Sequence, residues 1–162
     1  MNLCKTINFL NKRIIYKIKN NFYKLKLFGI QYGKNLQIYG NVKIFGNRCN
    51  IKIGNNCSLN EGTILSANGK IIIGDNVVIS SYSVLHTGKL KINIWPIKEH
   101  IYEDIVIENN VWIASHCIIS GGVKIGKNVI IGANSFVNRN LESGYFYAGN
   151  PVKKICKIEN LK

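Results

Sequence analysis

The most regular feature of this sequence is an aliphatic residue at every sixth position between residues 107 and 141. The series comprises Ile107, Ile113, Ile119, Ile125, Ile131 and Val137. A second series of compact residues follows each of these by four positions and comprises Val111, Cys117, Val123, Val129, Ser135 and Leu141. A period of six fits neither an amphipathic helix nor a two-sided strand. It indicates a chain that turns a corner every sixth residue and buries one aliphatic side chain per side, as in a parallel β-helix.

The same spacing predicts earlier coils between Ile38 and Leu85. Its aliphatic positions in this part of the chain are Ile38, Ile44, Ile53, Leu59, Leu65, Ile73, Ile79 and Leu85. With the two coils that follow, the pattern predicts about five coils of about 18 residues each. Asparagine-containing pairs at 55–56, 75–76 and 127–128 suit corners that need left-handed backbone dihedrals. The hexads stop between residues 86 and 106, which predicts a loop insertion at one corner.

The first part of the chain has a different period. Within residues 3–28 the apolar residues recur at spacings of three and four, and lysines fill the remaining positions, which predicts an amphipathic helix. That helix is expected either to cap the first end of the solenoid or to lie on an anionic membrane surface. The two roles are compatible if the basic face points outward. We therefore divide the chain into an N-terminal helix (1–30), a β-helix (31–141) and a C-terminal cap with a basic tail (142–162).

Composition narrows the class of protein. The formal net charge is +14, from 22 Lys and Arg against 8 Asp and Glu, which favours anionic partners or reflects a lysine-rich composition. No nucleic-acid-binding motif is visible. The sequence has no run of 18 apolar residues and no apolar core of a secretory signal. Its five cysteines form no C-x-x-C pair, so we expect reduced thiols, with Cys57 and Cys117 buried in the core. These features predict a cytoplasmic protein with no metal site, in peripheral contact at most with the inner face of the membrane.

Several segments together resemble the hexapeptide-repeat acyltransferases, in the branch that contains maltose and galactoside O-acetyltransferases and surface-polysaccharide O-acetyltransferases. The matching segments are I-G-D-N-V-V-I (73–79), P-I-K-E-H-x4-I-V-I (96–107), N-N-V-W-I-A-S (109–115), G-V-K-I-G (122–126), I-G-A-N-S-F-V (131–137) and A-G-N-P-V-K-K-I (148–155). The resemblance implies a mainly β chain folded as a left-handed parallel β-helix. It also implies a homotrimer with active sites between subunits, and acetyl-coenzyme A as the acyl donor.

The chain has three histidines, and transfer of an acyl group to a hydroxyl needs a base for the hydroxyl proton. A neutral imidazole suits this role, and the imidazolium can then protonate the leaving thiolate. His86 opens the insertion, in the region where similar enzymes carry the catalytic histidine, and is the first candidate. His100, near the far end of the insertion, is the second. His116 lies within a hexad and is interpreted as a surface or subunit-contact residue.

Other candidate site residues follow from the insertion and from family positions. Glu99, Glu103 and Asp104 are candidates to orient the histidine, and Glu99 is also a candidate for the substrate pocket. Trp112 is expected either to line that pocket or to pack at a subunit seam. By resemblance, the positions expected to contact coenzyme A are Ser115, Ala133, Asn138, Arg139, Lys153 and Lys154.

The sequence therefore predicts an acetyl-coenzyme A-dependent O-acetyltransferase that acts on a sugar hydroxyl by direct transfer. The acceptor is expected to be a nucleotide sugar, a lipid-linked oligosaccharide or a nascent surface polysaccharide. Two alternatives stay open at this point. One is N-acyl transfer to an amino sugar or another small amine, and the other is a non-catalytic hexapeptide scaffold.

Overall fold

A computed structural model describes residues 18–24, 27–91 and 99–160, and these residues form a left-handed parallel β-helix. Residues 1–17 of the predicted N-terminal helix lie outside the described residues. The described part of that helix, α1, spans residues 18–24. No helix in the described ranges is both long enough and apolar enough to cross a membrane.

Five coils of three strands each make up the solenoid. The first three coils consist of β1 (Gln31–Tyr32), β2 (Gln37–Tyr39) and β3 (Lys43–Gly46); β4 (Ile51–Ile53), β5 (Ser58–Asn60) and β6 (Ile64–Ala67); and β7 (Ile71–Ile73), β8 (Val78–Ile79) and β9 (Val84–His86). A hairpin of β10 (Gly88–Leu90) and β11 (His100–Tyr102) follows. The last two coils consist of β12 (Ile105–Ile107), β13 (Trp112–Ile113) and β14 (Ile118–Ser120); and β15 (Lys124–Ile125), β16 (Ile130–Ile131) and β17 (Phe136–Val137). The C-terminal strands are β18 (Tyr145–Ala148) and β19 (Lys153–Lys157), and two 3-10 turns span Arg48–Asn50 and Ile158–Asn160.

The strands of successive coils stack into three sheets. Sheet 1 has the order β1-β4-β7-β12-β15, sheet 2 the order β19-β18-β16-β13-β8-β5-β2, and sheet 3 the order β17-β14-β9-β6-β3. We call the turn from sheet 1 to sheet 2 the first corner, that from sheet 2 to sheet 3 the second corner, and that from sheet 3 to the next coil the third corner. The fifteen strands of the coils pair in parallel, as the hexad pattern predicts.

The core is the stack of inward-facing hexad residues. Both series between residues 107 and 141 are buried, and so are the aliphatics predicted for the second and third coils. Pairing keeps them in register, since Ile107 lies between Ile73 and Ile125 in sheet 1. The one departure is Ile44, which is only partly buried at the edge of the core. About five coils with a continuous aliphatic core are thereby confirmed.

A ladder of asparagines lines the first corner. Its members all have left-handed backbone angles, with φ between 54° and 59°, and are Asn35, Asn56, Asn76, Asn110 and Asn128. The side-chain amides of the first four each donate to the side-chain oxygen of the asparagine in the next coil, at 2.9 to 3.2 Å. Asparagine is among the few residues other than glycine that adopt this conformation readily, so the ladder satisfies both the backbone and the side chains.

The α1 helix packs on the first coil, but with the face opposite to its apolar stripe. Asn20 Oδ1 accepts a hydrogen bond from the Ile38 amide at 2.8 Å, and Tyr23 packs against the core. Ile18 and Phe22 instead stay 64% and 61% exposed. The sequence left the helix either capping the solenoid or lying on a membrane, and an outward basic face was the condition for both roles together. Over residues 18–24 the contacts to the first coil come from an aromatic residue and an amide outside the apolar stripe.

The C-terminal segment covers the other end and extends sheet 2. β18 adds in parallel to β16, and β19 returns antiparallel to β18. Tyr147 and Val152 are buried over the last coil. The C-terminal cap predicted from the end of the hexads is thus an added hairpin.

The asparagine ladder leads to a stability prediction at Asn76. Replacing it with alanine removes two side-chain hydrogen bonds and places a Cβ-bearing residue with no polar side chain at a φ of 57°. We expect Asn76→Ala to lower the free energy of unfolding by about 2–3 kcal/mol. Asn76→Gly also loses the ladder bonds, but glycine adopts the positive φ without strain. Its loss of unfolding free energy should therefore be about 1 kcal/mol smaller than that of Asn76→Ala. Urea unfolding of the two variants measures this difference, and equal losses would show that the dihedral plays no part.

Candidate functional site

The first candidate histidine lies at the third corner, where the regular coil gives way to the insertion. His86 is the last residue of β9, and its ladder neighbours in sheet 3 are Ser66 and Ser120. Its side chain is exposed on the outer surface. The outward direction of the His86 side chain follows from its place in the strand. Leu85, just before it, is buried, and successive strand residues point to opposite faces.

The insertion begins as a hairpin directly after this histidine. β10 pairs antiparallel with β11, with Gly88 opposite Tyr102 and Leu90 opposite His100. Two ion pairs bridge its strands and flanks, Lys89–Glu103 at 2.6 Å and Lys91–Glu99 at 2.8 Å. Residues 92–98, between the two strands, lie outside the described residues. The predicted loop therefore starts as ordered β structure that stands next to His86.

The His86 imidazole lies against the base of this hairpin. A Cβ built on Gly88 would be 2.9 Å from His86 Nε2 and 3.5 Å from the Tyr102 ring, so the glycine leaves the space that the imidazole uses. Among the described residues, none forms a hydrogen bond with the His86 imidazole. The ring thus has van der Waals neighbours on one side and both nitrogens available.

The backbone next to His86 is held firmly by a buried threonine. Thr87 Oγ1 donates to the Ser66 carbonyl at 2.9 Å and accepts from the amides of Asn68 and Gly69 at 3.1 Å each. Its own carbonyl accepts from the Glu103 amide at 3.0 Å. The threonine therefore ties the entry of the insertion to its exit and to the preceding coil, and this fixes the position from which His86 projects.

The three acidic candidates of the insertion each have another partner. Glu99 and Glu103 form the two lysine ion pairs of the hairpin, and Asp104 Oδ1 accepts from the Lys70 amide at 2.7 Å. Gly122, with a φ of 79°, makes room for the Glu103 carboxylate, because a Cβ there would meet it at 2.1 Å. Within one chain these carboxylates organise the hairpin rather than contact His86. A role of any of them in orienting the base stays a prediction.

The other two histidines lie at different places. His100 is exposed on β11, two cross-strand pairs further from the base of the hairpin than Tyr102. His116 is exposed at the second corner with a φ of 60°, where its ring stacks on Tyr82 at 5.2 Å between centroids. The interpretation of His116 as a surface residue agrees with this position. No group of His, Cys, Asp or Glu within the described ranges is arranged to hold a metal ion.

Small residues and a tight turn lie together at the second corner. Ser115 and Ala133 belong to successive coils there, and the Ser115 carbonyl accepts from the Asn134 amide at 3.0 Å. The Gly149–Asn150–Pro151 turn packs beside them, since the Gly149 carbonyl accepts from the Phe136 amide at 3.0 Å. Ala133 and the turn residue Asn150 are exposed. The corner offers a low, backbone-rich surface that a long, thin ligand can approach closely.

The two lysines after this turn differ in their surroundings. Lys153 is exposed opposite Ala148, next to the turn. Lys154 forms an ion pair with Glu142 at 2.7 Å and lies 4.2 Å from the centroid of the Tyr145 ring. The hydrogen bond to the Glu142 carboxylate raises the pKa of Lys154 above its ordinary value. Lys154 is therefore engaged within the chain, whereas Lys153 faces solvent.

The remaining predicted residues are split between two sides of the solenoid. Asn138 and Arg139 are exposed just after β17 at the third corner, two coils beyond His86. Trp112 lies on sheet 2, 51% exposed, and its Nε1 donates to Ser80 Oγ at 3.1 Å. A single chain therefore does not bring Trp112 and His86 into one pocket.

Sequence reasoning missed the residues that set the surroundings of His86, namely Thr87, Gly88, Tyr102 and the Gly121–Gly122 pair. The available signal was the T-G dipeptide directly after the histidine, since a glycine at the start of an insertion often marks a close approach. Gly121 repeats that signal one coil later, where a Cβ would lie 2.4 Å from the Thr87 carbonyl oxygen.

The core cysteines are shielded from solvent. The Cys57 thiol lies 3.1 Å from the Gly74 carbonyl and the Cys117 thiol 3.2 Å from the Gly132 carbonyl. Burial raises the pKa of both thiols above the ordinary cysteine value. A thiol that stays protonated and inaccessible is a poor nucleophile, so neither is suited to carry an acyl group.

Comparison with known proteins places this geometry among transferases. The family model described as bacterial transferase hexapeptide (six repeats) matches residues 104–139. The chain is 34% identical over 119 residues to the galactoside O-acetyltransferase of Escherichia coli K12, covering 68% of this chain and 56% of that protein. It is 33% identical over 135 residues to the putative colanic acid biosynthesis acetyltransferase WcaF of the same organism, covering 79% and 69%. The chain thus spans little more than half the length of the first relative.

Solved structures give the same grouping. A maltose O-acetyltransferase from Clostridium difficile 630 superimposes with a TM-score of 0.75 at 33% identity, covering 83% of this chain and 72% of that one. A variant of AntD, an N-acyltransferase from Bacillus cereus solved with dTDP-4-amino-4,6-dideoxyglucose and coenzyme A, superimposes with a TM-score of 0.64 at 28% identity. The coverage in that case is 83% of this chain and 87% of AntD.

Burial of the core thiols predicts a pattern of alkylation. With iodoacetamide at about pH 8, exposed Cys49 should react within minutes to hours, whereas Cys57 and Cys117 should stay unmodified until the chain unfolds. Peptide mass spectrometry of native and urea-treated protein measures each site separately. Modification of Cys117 in the native protein at the rate of Cys49 would contradict the buried thiol and reopen its use as a nucleophile.

Proposed function

This chain belongs to the hexapeptide-repeat family of bacterial acetyltransferases, and we propose that it transfers the acetyl group of acetyl-coenzyme A to a sugar hydroxyl. The observation that carries the proposal is His86, an exposed imidazole held at the third corner beside a hairpin, with both nitrogens available. The galactoside and maltose O-acetyltransferases among its relatives support an oxygen of a sugar as the acceptor. WcaF supports an acceptor that belongs to surface-polysaccharide assembly.

The proposed reaction is a direct transfer in a ternary complex. The imidazole of His86 takes the proton of the acceptor hydroxyl while its oxygen attacks the thioester carbonyl carbon. The tetrahedral species collapses with cleavage of the carbon–sulfur bond, and the imidazolium returns the proton to the thiolate of coenzyme A. The buried, protonated state of Cys57 and Cys117 supports direct transfer over an acyl-enzyme on either thiol.

The coenzyme A contact is proposed for the second corner. Ser115 and Ala133 supply small side chains, and the turn at 149–151 supplies exposed backbone, which suits an extended pantetheine arm. Sheet 3 separates this corner from His86, and its strands are two to four residues long, a span of roughly 10 Å. An extended arm is long enough to cross that distance. Asn138 and Arg139, at the third corner, are retained as further candidates for the same ligand.

Assembly as a homotrimer is part of the proposal, with the active site completed between subunits. Trp112 lies on sheet 2 and His86 at the edge of sheet 3, so a shared pocket needs the two residues to come from different chains. A lipid-linked acceptor would in addition require contact with an anionic membrane, which residues 3–28 are proposed to make.

N-acyl transfer is the second candidate, and the structural similarity to AntD is the observation that favours it. The two reactions share the donor, the fold and a base, and differ in the acceptor atom. A panel that contains both plain sugars and amino sugars, free and nucleotide-linked, therefore distinguishes them. Failure of the purified chain to bind coenzyme A at all would favour the third reading, a non-catalytic scaffold.

Removal of the proposed base is the direct test of the mechanism. We expect His86→Ala to lower kcat for thiol release from acetyl-coenzyme A by about 10²–10⁴-fold while the affinity for coenzyme A is kept. His116→Ala is the matched control, because it removes an exposed imidazole at the second corner, away from His86. At saturating acetyl-coenzyme A it should keep kcat within about twofold. If His100→Ala is the inactive variant instead, the base has been assigned to the wrong end of the hairpin.

A second variant separates the position of the imidazole from its presence. Gly88→Ala introduces a Cβ 2.9 Å from His86 Nε2 and should displace the imidazole ring. The variant still has the side chains of His86 and Thr87. We expect kcat to fall by about tenfold or more with an unchanged KM for acetyl-coenzyme A, because a misplaced base loses catalysis before it loses binding.

The two tail lysines are expected to differ in their contribution to donor binding. Because Glu142 competes for Lys154, Lys153→Gln should raise the KM for acetyl-coenzyme A by about threefold to fivefold, and Lys154→Gln by less. Kinetics with both variants at low and high salt measures the difference. A larger effect of Lys154→Gln would show that its ion pair opens to meet the nucleotide phosphates.

A further inference from the structure

An exposed phenylalanine lies in the same row of sheet 3 as the proposed base. The pairing of β3 with β6 places Phe45 opposite Ser66, and the pairing of β6 with β9 places Ser66 opposite His86. Two strand spacings, or about 10 Å, separate the first of these residues from the last. Phe45 is 55% exposed and His86 is exposed, whereas Ser66 between them is small and buried. The row therefore forms a depression over Ser66, with an aromatic ring at one end and the imidazole at the other.

The Ser66 depression has a different border on each side. Toward the second corner lie Ile64 and Val84, which pair with each other in the neighbouring outward row and are half-buried. Toward the third corner lies the exit of the hairpin, since a Cβ on Gly69 would be 3.2 Å from the Glu103 carbonyl. The depression is thus bordered by an aliphatic strip and by the hairpin, and it runs from His86 toward the first coil.

Positive charge lies on both sides of Phe45 along the chain. Lys43 precedes it by two positions on the same outer face of β3, and Arg48 follows it in the 3-10 turn at the third corner. Both side chains are exposed. Arg48 Nη1 donates to the Phe28 carbonyl at 3.4 Å, which holds the guanidinium at this end of the solenoid.

The charge along the sequence strengthens the positive potential at this end. All 8 Asp and Glu residues of the chain come after residue 60, so every charged side chain of the first coil is basic. An anionic group that enters the Ser66 depression from the first coil therefore meets lysine and arginine and no carboxylate of that coil. Arginine in particular suits the oxygens of a phosphate, because its planar fork can donate two parallel hydrogen bonds.

We propose that the acceptor of this protein is a sugar linked to a nucleoside diphosphate, and that Phe45, Arg48 and Lys43 bind its nucleotide part. The sugar lies over Ser66 with one hydroxyl at His86, the two cationic side chains meet the diphosphate, and the base stacks on the Phe45 ring. The inference rests on the proposed function, because it takes His86 as the base of acetyl transfer. The diphosphate stays intact during the reaction.

The other acceptor classes fit this surface less well. A free monosaccharide would leave Phe45 and both cations without a contact, because the depression is longer than one pyranose ring. A neutral polysaccharide gains nothing from the positive charge. A lipid-linked sugar shares the diphosphate, but its hydrocarbon chain needs a continuous apolar track, and here the ring of Phe45 has Lys43 on one side and Arg48 on the other. A planar base on an anionic linker uses all three side chains.

The test is calorimetric titration of the full chain with UDP, dTDP and GDP after the donor site has been filled with coenzyme A. Coenzyme A is itself a nucleotide, so saturation with it keeps the probes out of its site. We expect the tightest of the three to bind about tenfold more tightly than pyrophosphate, because base stacking adds to the attraction between charges. Phe45→Ser should abolish this advantage, and Phe45→Tyr should keep it. Arg48→Gln should weaken the binding of nucleotide and pyrophosphate alike, by about fivefold to tenfold.

Two matched controls keep the result specific. Phe22→Ser removes an aromatic residue that is 61% exposed on α1, and Lys52→Gln removes an exposed charge on sheet 1. Both should keep the affinity for the nucleotides within about twofold of the wild type. Losses in the controls as large as those in Phe45→Ser and Arg48→Gln would show general attraction to a basic chain, and would overturn the proposal.

Four other outcomes would also overturn it. Two are the absence of nucleotide binding to the protein filled with coenzyme A, and equal affinity for nucleotides and pyrophosphate. The third is tighter binding of geranyl diphosphate than of any nucleotide, which would assign the subsite to lipid-linked sugars. The fourth is a lower oligomeric mass of Phe45→Ser, which light scattering would detect and which would assign the ring to a contact between subunits.

Turnover measurements keep this proposal apart from the proposed function. With a nucleotide-linked acceptor, Phe45→Ser should raise the KM for the acceptor by about tenfold and leave kcat within about twofold, as expected for lost binding outside the reacting atoms. Thiol release with free sugars only, and none with nucleotide-linked sugars, would overturn the nucleotide subsite and leave acetyl transfer standing. Binding of nucleotides through Phe45 by a chain that does not bind coenzyme A would overturn acetyl transfer and keep the subsite.

Discussion

The whole solenoid depends on one conformational requirement, a left-handed backbone at the first corner of every coil. Five asparagines meet it, and each passes a side-chain hydrogen bond to the next. In four of the five coils the residue two positions before the asparagine is a glycine, and a Cβ on Gly74, for example, would lie 2.3 Å from the Asn109 side chain. Where every coil turns in the same way, the aliphatic residues of the hexads fall inside, and the sheets stay in register.

The candidate site exists because this requirement falls on the first corner, so that an insertion can enter at the third corner of one coil. β9 and β14 remain ladder neighbours although the hairpin lies between them in the sequence. Thr87 closes the insertion at its base with bonds to Ser66, Asn68 and Gly69, so the added segment leaves the coil unchanged. A rigid solenoid therefore supplies the position of His86, and a separate hairpin supplies its surroundings.

The period of six predicted the number of coils, the two buried series and the place of the insertion. It could do so because every coil buries the same positions, so aliphatic residues recur there at a fixed spacing. The neighbours of His86 were not predicted, since Gly88 and Tyr102 meet only through the antiparallel register of the hairpin. Which face of α1 meets the solenoid was not predicted either. An apolar stripe shows that a helix has two unlike faces but not which of them meets the protein, and here Tyr23 and Asn20 outside the stripe make the contacts.

The closure at Thr87 separates two parts of the molecule that can change at different rates over evolution. The cost of lengthening a loop grows only slowly with its length, and the described ends of the hairpin are already joined by their own ladder and ion pairs. Segments of different length and composition can therefore be exchanged between β10 and β11 without disturbing the stack beneath. A lineage can in this way change the surroundings of His86 while it inherits the position of that histidine unaltered.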